Sequence, residues 1–356
     1  MQCSHPLFRI PVYPWENVKI ADVKVRNGSL LFSHNKYDYD FLKSVLPKNV
    51  LSRLQLIPCG KCMPCRINLA EQWSNRCLLE LKDFNQAIFV TLTYDDEHLQ
   101  FGYRINSRYK TLTYEPSLVK RDLQLFNKKL RKYYDEKSIK FRFFACGEYG
   151  GRTARPHYHI IYFGLPLPFD CKILKANGAN TLYSSEFLAS LWGKGLVSVG
   201  SVSADSIAYV ARYTTKKFRS SFLSPSEREW FDQQKDFVLS ELQDKLIEDD
   251  FLLMSRRPGI GYNYFQKNAC KMLSSDRMIF YDGVKTRILR PSRYFDRLFD
   301  INYPSDFKRL KDKRKLRCKS ISRITASASD LDELSQMHLS EQKAKEVIAK
   351  MPRASI

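Results

Sequence analysis

Two apolar runs joined by a glycine-rich loop dominate the middle of the chain: KFRFFACGEY over 140–149, GGRTAR over 150–155 and PHYHIIYFG over 156–164. Aromatic and β-branched runs bounded by glycine read as strands, and so short a connection makes them an antiparallel hairpin. Any fold for this chain must accommodate that hairpin inside a sheet.

The pattern extends to either side of it. AIFVTLTY, Ala87 to Tyr94, reads as a central strand. A helix follows from Leu118 to Tyr134 with Ser117 as N-cap; Val119, Leu123, Phe126, Leu130 and Tyr133 keep a 4-3-4-3 spacing and form its core face. The opposite face carries Lys120, Arg121, Lys128, Lys129, Arg131 and Lys132. After the hairpin, SSEFLASLW reads as helix, GLVSVGSVS as strand and DSIAYVARYTTKKF as helix. The order β-α-β-β-α-β predicts an α+β fold: an antiparallel sheet of split β-α-β, ferredoxin-like topology with helices packed on one side.

Outside this core the signals are weaker. The first 58 residues look irregular, with short strand-like pieces such as SLLFSH. A helix from Ile67 to Lys82 follows, with Leu69, Trp73, Cys77 and Leu81 as its buried stripe. A charged helical insertion is expected over 221–253, then a loop at MSRRPGIGYNYF, and a solvated, partly disordered helical tail beyond Pro304. The predicted division is 1–82, an N-terminal region with a cysteine cluster; 83–220, the core; 221–304, the insertion and PGIG loop; and 305–356, a basic and polar tail.

Composition narrows the function. With 59 Lys+Arg against 38 Asp+Glu the formal charge is +21, and a polyanion is the simplest partner to exploit it. No run approaches the roughly 18 apolar residues of a membrane span, and no secretory apolar segment opens the chain. Nine cysteines, an odd number, then fit a reducing cytoplasm better than a disulfide framework. There is no G-x-x-x-x-G-K-[ST] loop, so ATP hydrolysis is not expected.

The histidine strand carries the chemistry. Residues i and i+2 share a strand face, so His157 and His159 point the same way and can both reach one cation at about 2.0–2.2 Å. Glu148 ends the neighbouring strand and offers a carboxylate beside them. Two imidazoles and one carboxylate suit Mg²⁺ or Mn²⁺ acting on a phosphodiester; the zinc protease pattern HExxH is absent. On the later helix Tyr209 and Tyr213 lie four apart on one face, with Lys216 and Lys217 beside them. Phenols next to ammonium groups suit nucleophilic attack on phosphate. Arg152, Arg155 and Arg212 are candidate DNA-binding cations around this site, with Arg256 and Arg257 more remote. The basic stretch Lys308 to Lys319 is either a DNA arm or a solubilising segment.

Cys59, Cys62 and Cys65 form C-x-x-C-x-x-C, one ligand short of a tetrahedral zinc site; Cys3 or His5 can supply the fourth. The alternative is a set of reduced thiols.

Taken together these motifs resemble the HUH endonucleases, the rolling-circle replication initiators, in their two-tyrosine branch. CGKCMPCRINLAEQWSNR, FVTLTYDDEHL, GEYGGRTARPHYHIIYFG, YVARYTTKK and SRRPGIGYNYF are similar, in that order, to the replication initiator of microviruses, the gokushovirus branch in particular. The resemblance spans Cys59 to about Phe265. It implies a metal-dependent nick of one strand at the origin, a 5′-phosphotyrosine link, a free 3′-OH primer and later rejoining, with host helicase and polymerase as partners. By position it assigns His157 and His159 to the metal, Tyr209 and Tyr213 as nucleophiles, Lys216 and Lys217 as basic companions, and Glu148 as third ligand. His98 or an aspartate of TYDDEH can substitute for Glu148. The competing reading is a non-catalytic basic DNA-binding protein, for example one acting in genome packaging, which leaves the histidines, glutamate and paired tyrosines unexplained.

Overall fold

The computed structural model describes residues 7–13, 29–33, 39–51, 53–106, 109–151, 153–176, 181–212, 225–242, 245–281, 286–328 and 342–347, with 3, 25 and 340 singly. The chain divides into two compact units, Met1–Leu69 with Lys319–Ile356, and Ala70–Cys318.

The first unit is more regular than its sequence suggests. Strands β1 (Leu7–Pro11), β2 (Ser29–Ser33) and β3 (Gln55–Ile57) form an antiparallel sheet in the order β2-β1-β3. Helices α1 (Tyr39–Val45) and α2 (Lys48–Leu51) lie between β2 and β3 in sequence. Alternation in β1 turns Phe8 and Ile10 inward, onto Leu30, Leu42, Leu46 and Val50. Helix α3 (Met63–Leu81) starts in this unit and continues into the next. Its buried stripe includes Ala70, Cys77 and Leu78, while Trp73 and Leu81 are half-buried.

The second unit begins with β4 (Ala87–Tyr94), a hairpin of β5 (Gln100–Asn106) and β6 (Thr111–Ser117), and helix α4 (Lys120–Asp135). Then come β7 (Arg142–Tyr149), β8 (Pro156–Phe163), β9 (Lys172–Lys175), β10 (Leu182–Ser184), α5 (Glu186–Trp192), β11 (Gly195–Ser201) and α6 (Ala204–Arg212). The rest is α7 (Pro225–Ser240), β12 (Phe251–Met254), α8 (Tyr262–Ser275), β13 (Met278–Tyr281), β14 (Thr286–Leu289), α9 (Arg293–Asn302) and α10 (Pro304–Ala328). Seven strands make one sheet in the order β12-β7-β8-β4-β11-β10-β9, every pair antiparallel. The predicted α+β class and antiparallel sheet are present. Strands β4 and β7, linked through α4, run parallel to each other with β8 between them.

Helices cover both faces of this sheet, not one. Ile88, Val90, Leu92 and Tyr94 of β4 pack with Leu123, Phe126 and Leu130 of α4 and Leu188 and Trp192 of α5. The other face meets Ile207 and Val210 of α6, Phe265 and Met272 of α8, and Cys77 and Leu78 of α3. The reason lies in β7 and β8, which are buried at almost every position. A strand apolar on both sides needs cover on both, at about 1.5–3 kcal/mol for each large apolar side chain removed from water.

Three further expectations need correction. Ser117 does not cap α4; the N-cap position is Val119, whose N–H donates to the Tyr158 hydroxyl at 2.8 Å, while Lys120 N–H donates to Glu248 Oε2 at 2.9 Å. Tertiary acceptors thus satisfy the helix start, so a local cap is not needed. The segment over 221–253 is only partly helical, because Phe251–Met254 joins the sheet edge beside β7. The stretch read as a solvated tail begins as α10, which buries Phe307 and Leu310 and anchors Arg314 on Asp276 and Asp296. Apolar residues three apart followed by one well-paired arginine are enough to dock a helix that looks uniformly basic. Among the described residues no helix is long and apolar enough to cross a membrane.

Candidate active site

The register of three strands builds the site. On β8, His157 faces Thr93 of β4 and Glu148 of β7, while His159 faces Thr91 and Cys146. Because side chains alternate, the odd-numbered residues of β4 and β8 share the face toward α6. Thr91 Oγ1 lies 3.0 Å from His159 Nδ1, and Thr93 Oγ1 lies 3.0 Å from His157 Nδ1. Each hydroxyl holds one ring nitrogen, which orients the imidazole and leaves Nε2 to do the chemistry.

Glu148 stands opposite His157 in register, yet its side chain reaches diagonally to His159, with Oε1 2.9 Å from Nε2. The Tyr209 hydroxyl of α6 donates to the same Oε1 at 3.2 Å. The Tyr209 ring meets the His159 ring edge-on at 5.2 Å, and Phe89 stacks on His159 at 5.8 Å. Arg212 sets its guanidinium 5.4 Å from the centre of the Tyr209 ring. His159 is fully buried and Glu148 nearly so. Burial pushes the His157 pKa down, with His159 and Arg155 adding to the effect and Glu148 opposing it, so neutral imidazole is favoured.

Two ligands of one divalent cation, each at about 2.1 Å and at right angles, stand about 3.0 Å apart. The His159–Glu148 separation fits that spacing, and nitrogen with carboxylate oxygen is a suitable donor set for Mg²⁺ or Mn²⁺. His157 is not drawn in as closely. Its ring centre is 6.3 Å from that of His159, and the only three or more ligand groups lying mutually within 4.8 Å among the described residues are cysteines.

The structure therefore brings together His159, Glu148 and Tyr209, with His157 adjacent. Tyr213, Lys216, Lys217 and Arg152 lie outside the described residues. Arg155 donates to the Tyr94 carbonyl at 2.6 Å and pairs with Asp96. His98, the alternative third ligand, pairs with Asp95 at 2.7 Å. Arg256 and Arg257 are exposed in the loop after β12. Sequence reasoning missed Thr91 and Thr93, although TLTY alternates in step with HYH once the two strands are paired. It also missed Gly150, where a Cβ would come within 3.0 Å of His157 Nε2.

A second donor set lies in the first unit. Cys3, Cys59, Cys62 and Cys65 place their four sulfurs within 4.8 Å of one another, an arrangement able to hold a metal ion. His5 lies outside the described residues.

Residues 87–218, from β4 through α6 and beyond, match the model of the replication-associated protein ORF2 family. The replication-associated protein ORF2 of Spiroplasma virus 4 is 31% identical over 253 residues, covering 70% of each chain. The chain belongs to this family. The replication-associated protein VP4 of Bdellovibrio phage phiMH2K is 29% identical over 276 residues, 78% of each chain. The replication-associated protein ORF4 of Chlamydia phage 1 is 29% identical over 255 residues, 67% of this chain and 60% of its own. No solved structure matches. The resemblance to microvirus replication proteins, carried in the sequence by five ordered motifs, stands on these phage relatives.

Proposed function

We propose that the protein initiates phage DNA replication in the bacterial cytoplasm by nicking one strand at the origin and later rejoining it. The observation that carries this reading is the convergence of Tyr209 Oη, Glu148 Oε1 and His159 Nε2 within hydrogen-bond distances on one sheet face. The strand order around β8 supports it further, since a strand inserted between two parallel neighbours is what the split β-α-β arrangement of HUH endonucleases requires.

In the proposed reaction the Tyr209 oxygen attacks the phosphorus of the scissile phosphodiester. The bond from phosphorus to O3′ breaks, the 5′-phosphate stays on tyrosine, and the O3′ leaves with a proton as the primer hydroxyl. A phenol with a pKa near ~10 is a poor nucleophile at neutral pH. Glu148 Oε1 is the acceptor within reach of its proton, and Arg212 supplies positive charge beside the ring. A bound Mg²⁺ or Mn²⁺, held by His159 and Glu148 with His157, supplies charge to stabilise the phosphate oxygens. Tyr213, one turn later in sequence, is the second nucleophile, with Lys216 and Lys217 as companions. Because the phosphotyrosine bond retains the energy of the cut bond, a 3′-OH attack on it rejoins the strand. Host helicase and polymerase would supply unwinding and synthesis.

The test is to incubate the full chain with single-stranded origin DNA and Mn²⁺ and resolve products on a denaturing gel. The expected result is a protein–DNA adduct, lost with EDTA and lost in the Tyr209→Phe/Tyr213→Phe double variant. Absence of an adduct in all conditions, with DNA binding retained, would establish the non-catalytic reading instead.

Two smaller effects follow. Thr91→Ala removes the partner of His159 Nδ1 and should weaken Mn²⁺ binding about 10–100-fold, read by titrating cleavage against metal. Unchanged metal dependence would show that Thr91 does not orient the ring. The hairpin of β5 and β6 also supports single-stranded DNA as partner: Phe101 and Tyr114 stack at 5.7 Å while remaining 42% and 55% exposed. Arg104 of the same hairpin lies 4.7 Å above the ring of Tyr149, next in sequence to Glu148. Stacking of a base on such a surface contributes about 1–3 kcal/mol. Phe101→Ala/Tyr114→Ala should therefore weaken oligonucleotide binding at least about tenfold in an anisotropy titration. Equal affinity would remove the hairpin from the interface.

A further inference from the structure

The DNA chemistry leaves the four cysteines of the first unit unused. Cys3 Sγ stands 3.5 Å from both Cys59 Sγ and Cys62 Sγ, and Cys65 completes a set within 4.8 Å. None of the four is in a disulfide. In a regular tetrahedron with Zn–S bonds of ~2.3 Å, the sulfurs lie about 3.8 Å apart. We propose that Cys3, Cys59, Cys62 and Cys65 form a structural zinc site that shares no residue with the His159–Glu148 centre.

The surroundings are arranged for thiolates. Backbone N–H groups of Lys61 and Cys62 donate to Cys59 Sγ at 3.3 and 3.2 Å, and that of Cys59 donates to Cys3 Sγ at 3.3 Å. Cys62 directly precedes α3 and Cys65 lies in its first turn, which has no acidic residue. The helix N-terminus offers partial positive charge there. Four thiolates and one Zn²⁺ carry a net charge of −2, and these dipoles offset it. Without a cation the cluster works against ionisation: the Cys65 thiol is pushed far above its ordinary pKa, first by its bond to Cys62 and then by burial. Zinc binding releases the four thiol protons, so the free energy of coordination becomes free energy of folding. An iron–sulfur cluster fits less well, because its inorganic core holds cysteine sulfurs further apart than these.

The topology says what the metal does. Cys3 precedes β1, Cys59 follows β3, and these strands pair with Leu7 opposite Ile57. One ion therefore ties both ends of the small sheet to the start of α3. The unit needs such a staple, since its core is little more than Phe8, Ile10, Val12, Leu30, Leu42, Leu46 and Val50.

The experiment uses the full chain purified without chelator, with metal measured by plasma mass spectrometry. One zinc per chain is expected, and replacement by Co²⁺ should give the intense thiolate-to-cobalt charge-transfer band and visible transitions of a tetrahedral all-sulfur site. Displacing zinc with a mercurial should free four thiols together. Cys62→Ser and Cys65→Ser should each lose the zinc; if either fails to fold, the wild-type cobalt spectrum and thiol count decide alone. Zinc-free protein whose cysteines all titrate at once, zinc retained in both variants, a cobalt spectrum of nitrogen and oxygen ligands, or iron with sulfide would each overturn the proposal. No DNA enters these measurements, so their failure is separate from failure of the nicking reading.

Discussion

Alanine at His159 is expected to abolish strand cleavage, by about 10³-fold or more, while affinity for single-stranded DNA changes by less than about threefold. A bound cation contributes several kcal/mol to charge stabilisation in phosphoryl transfer, and each ~1.4 kcal/mol is a factor of ten in rate. His159 bonds to Thr91 and Glu148 and packs between Phe89 and Tyr209, so its loss also unseats the carboxylate nearest the nucleophile. His157→Ala should act in the same direction, because the proposed metal site includes both rings. Single-turnover cleavage with Mn²⁺ and anisotropy with the same oligonucleotide make the comparison. A unit-wide loss of folding is distinguished by the thermal midpoint. Equal losses of cleavage and binding in a folded variant would argue against a catalytic metal at this strand.

Glu80→Ala should be the most destabilising single change in the second unit, at about 3–5 kcal/mol, because it strands a largely buried arginine. Glu80 is only 1% exposed and pairs with Arg142 Nε, while its other oxygen accepts the N–H of Gly261. Arg142 also donates to the Pro258 carbonyl at 2.7 Å, and Arg76 donates to that of Ile260 at 3.0 Å. Arg76 itself is held between the rings of Trp73 and Tyr294, at 4.1 and 3.8 Å. These groups tie the end of α3 and the start of β7 to the PGIG turn that opens α8. Urea unfolding should show the loss, with Glu80→Gln milder because it still accepts from Gly261. A cost below about 1 kcal/mol would mean the pair behaves like a surface bridge and the turn is held by other contacts.

Much of the core was legible because its signals are local. AIFVTLTY was read as Ala87 to Tyr94, and the strand bounds are the same. PHYHIIYFG and GLVSVGSVS likewise stand where their composition put them. The buried face of α4 was read one residue off at its end. Tyr134 and Asn127 are buried in place of Tyr133, because Asn127 satisfies both its amide groups, on Leu123 O and the Tyr162 hydroxyl. Strand β12 and the hairpin of β5 and β6 went unread. Four apolar residues behind an acidic run, and a hairpin alternating aromatic with polar residues, carry too little local signal to separate from loop.

The candidate site divides the same way. That His157 and His159 share a face follows from the two-residue period of any strand, and their sequence alone determines it. So does the presence of two tyrosines one helical turn apart, and the large excess of positive charge that points to a polyanion. Only the tertiary structure decided which carboxylate meets which imidazole: Glu148 sits opposite His157 in the ladder but bonds to His159. It alone brought Thr91 and Thr93 onto the rings, Cys3 across 56 positions onto Cys59, and Arg314 onto Asp276. Period and composition are properties of neighbouring residues, whereas strand register and chain closure are chosen by the burial of the whole sheet, which no short segment encodes.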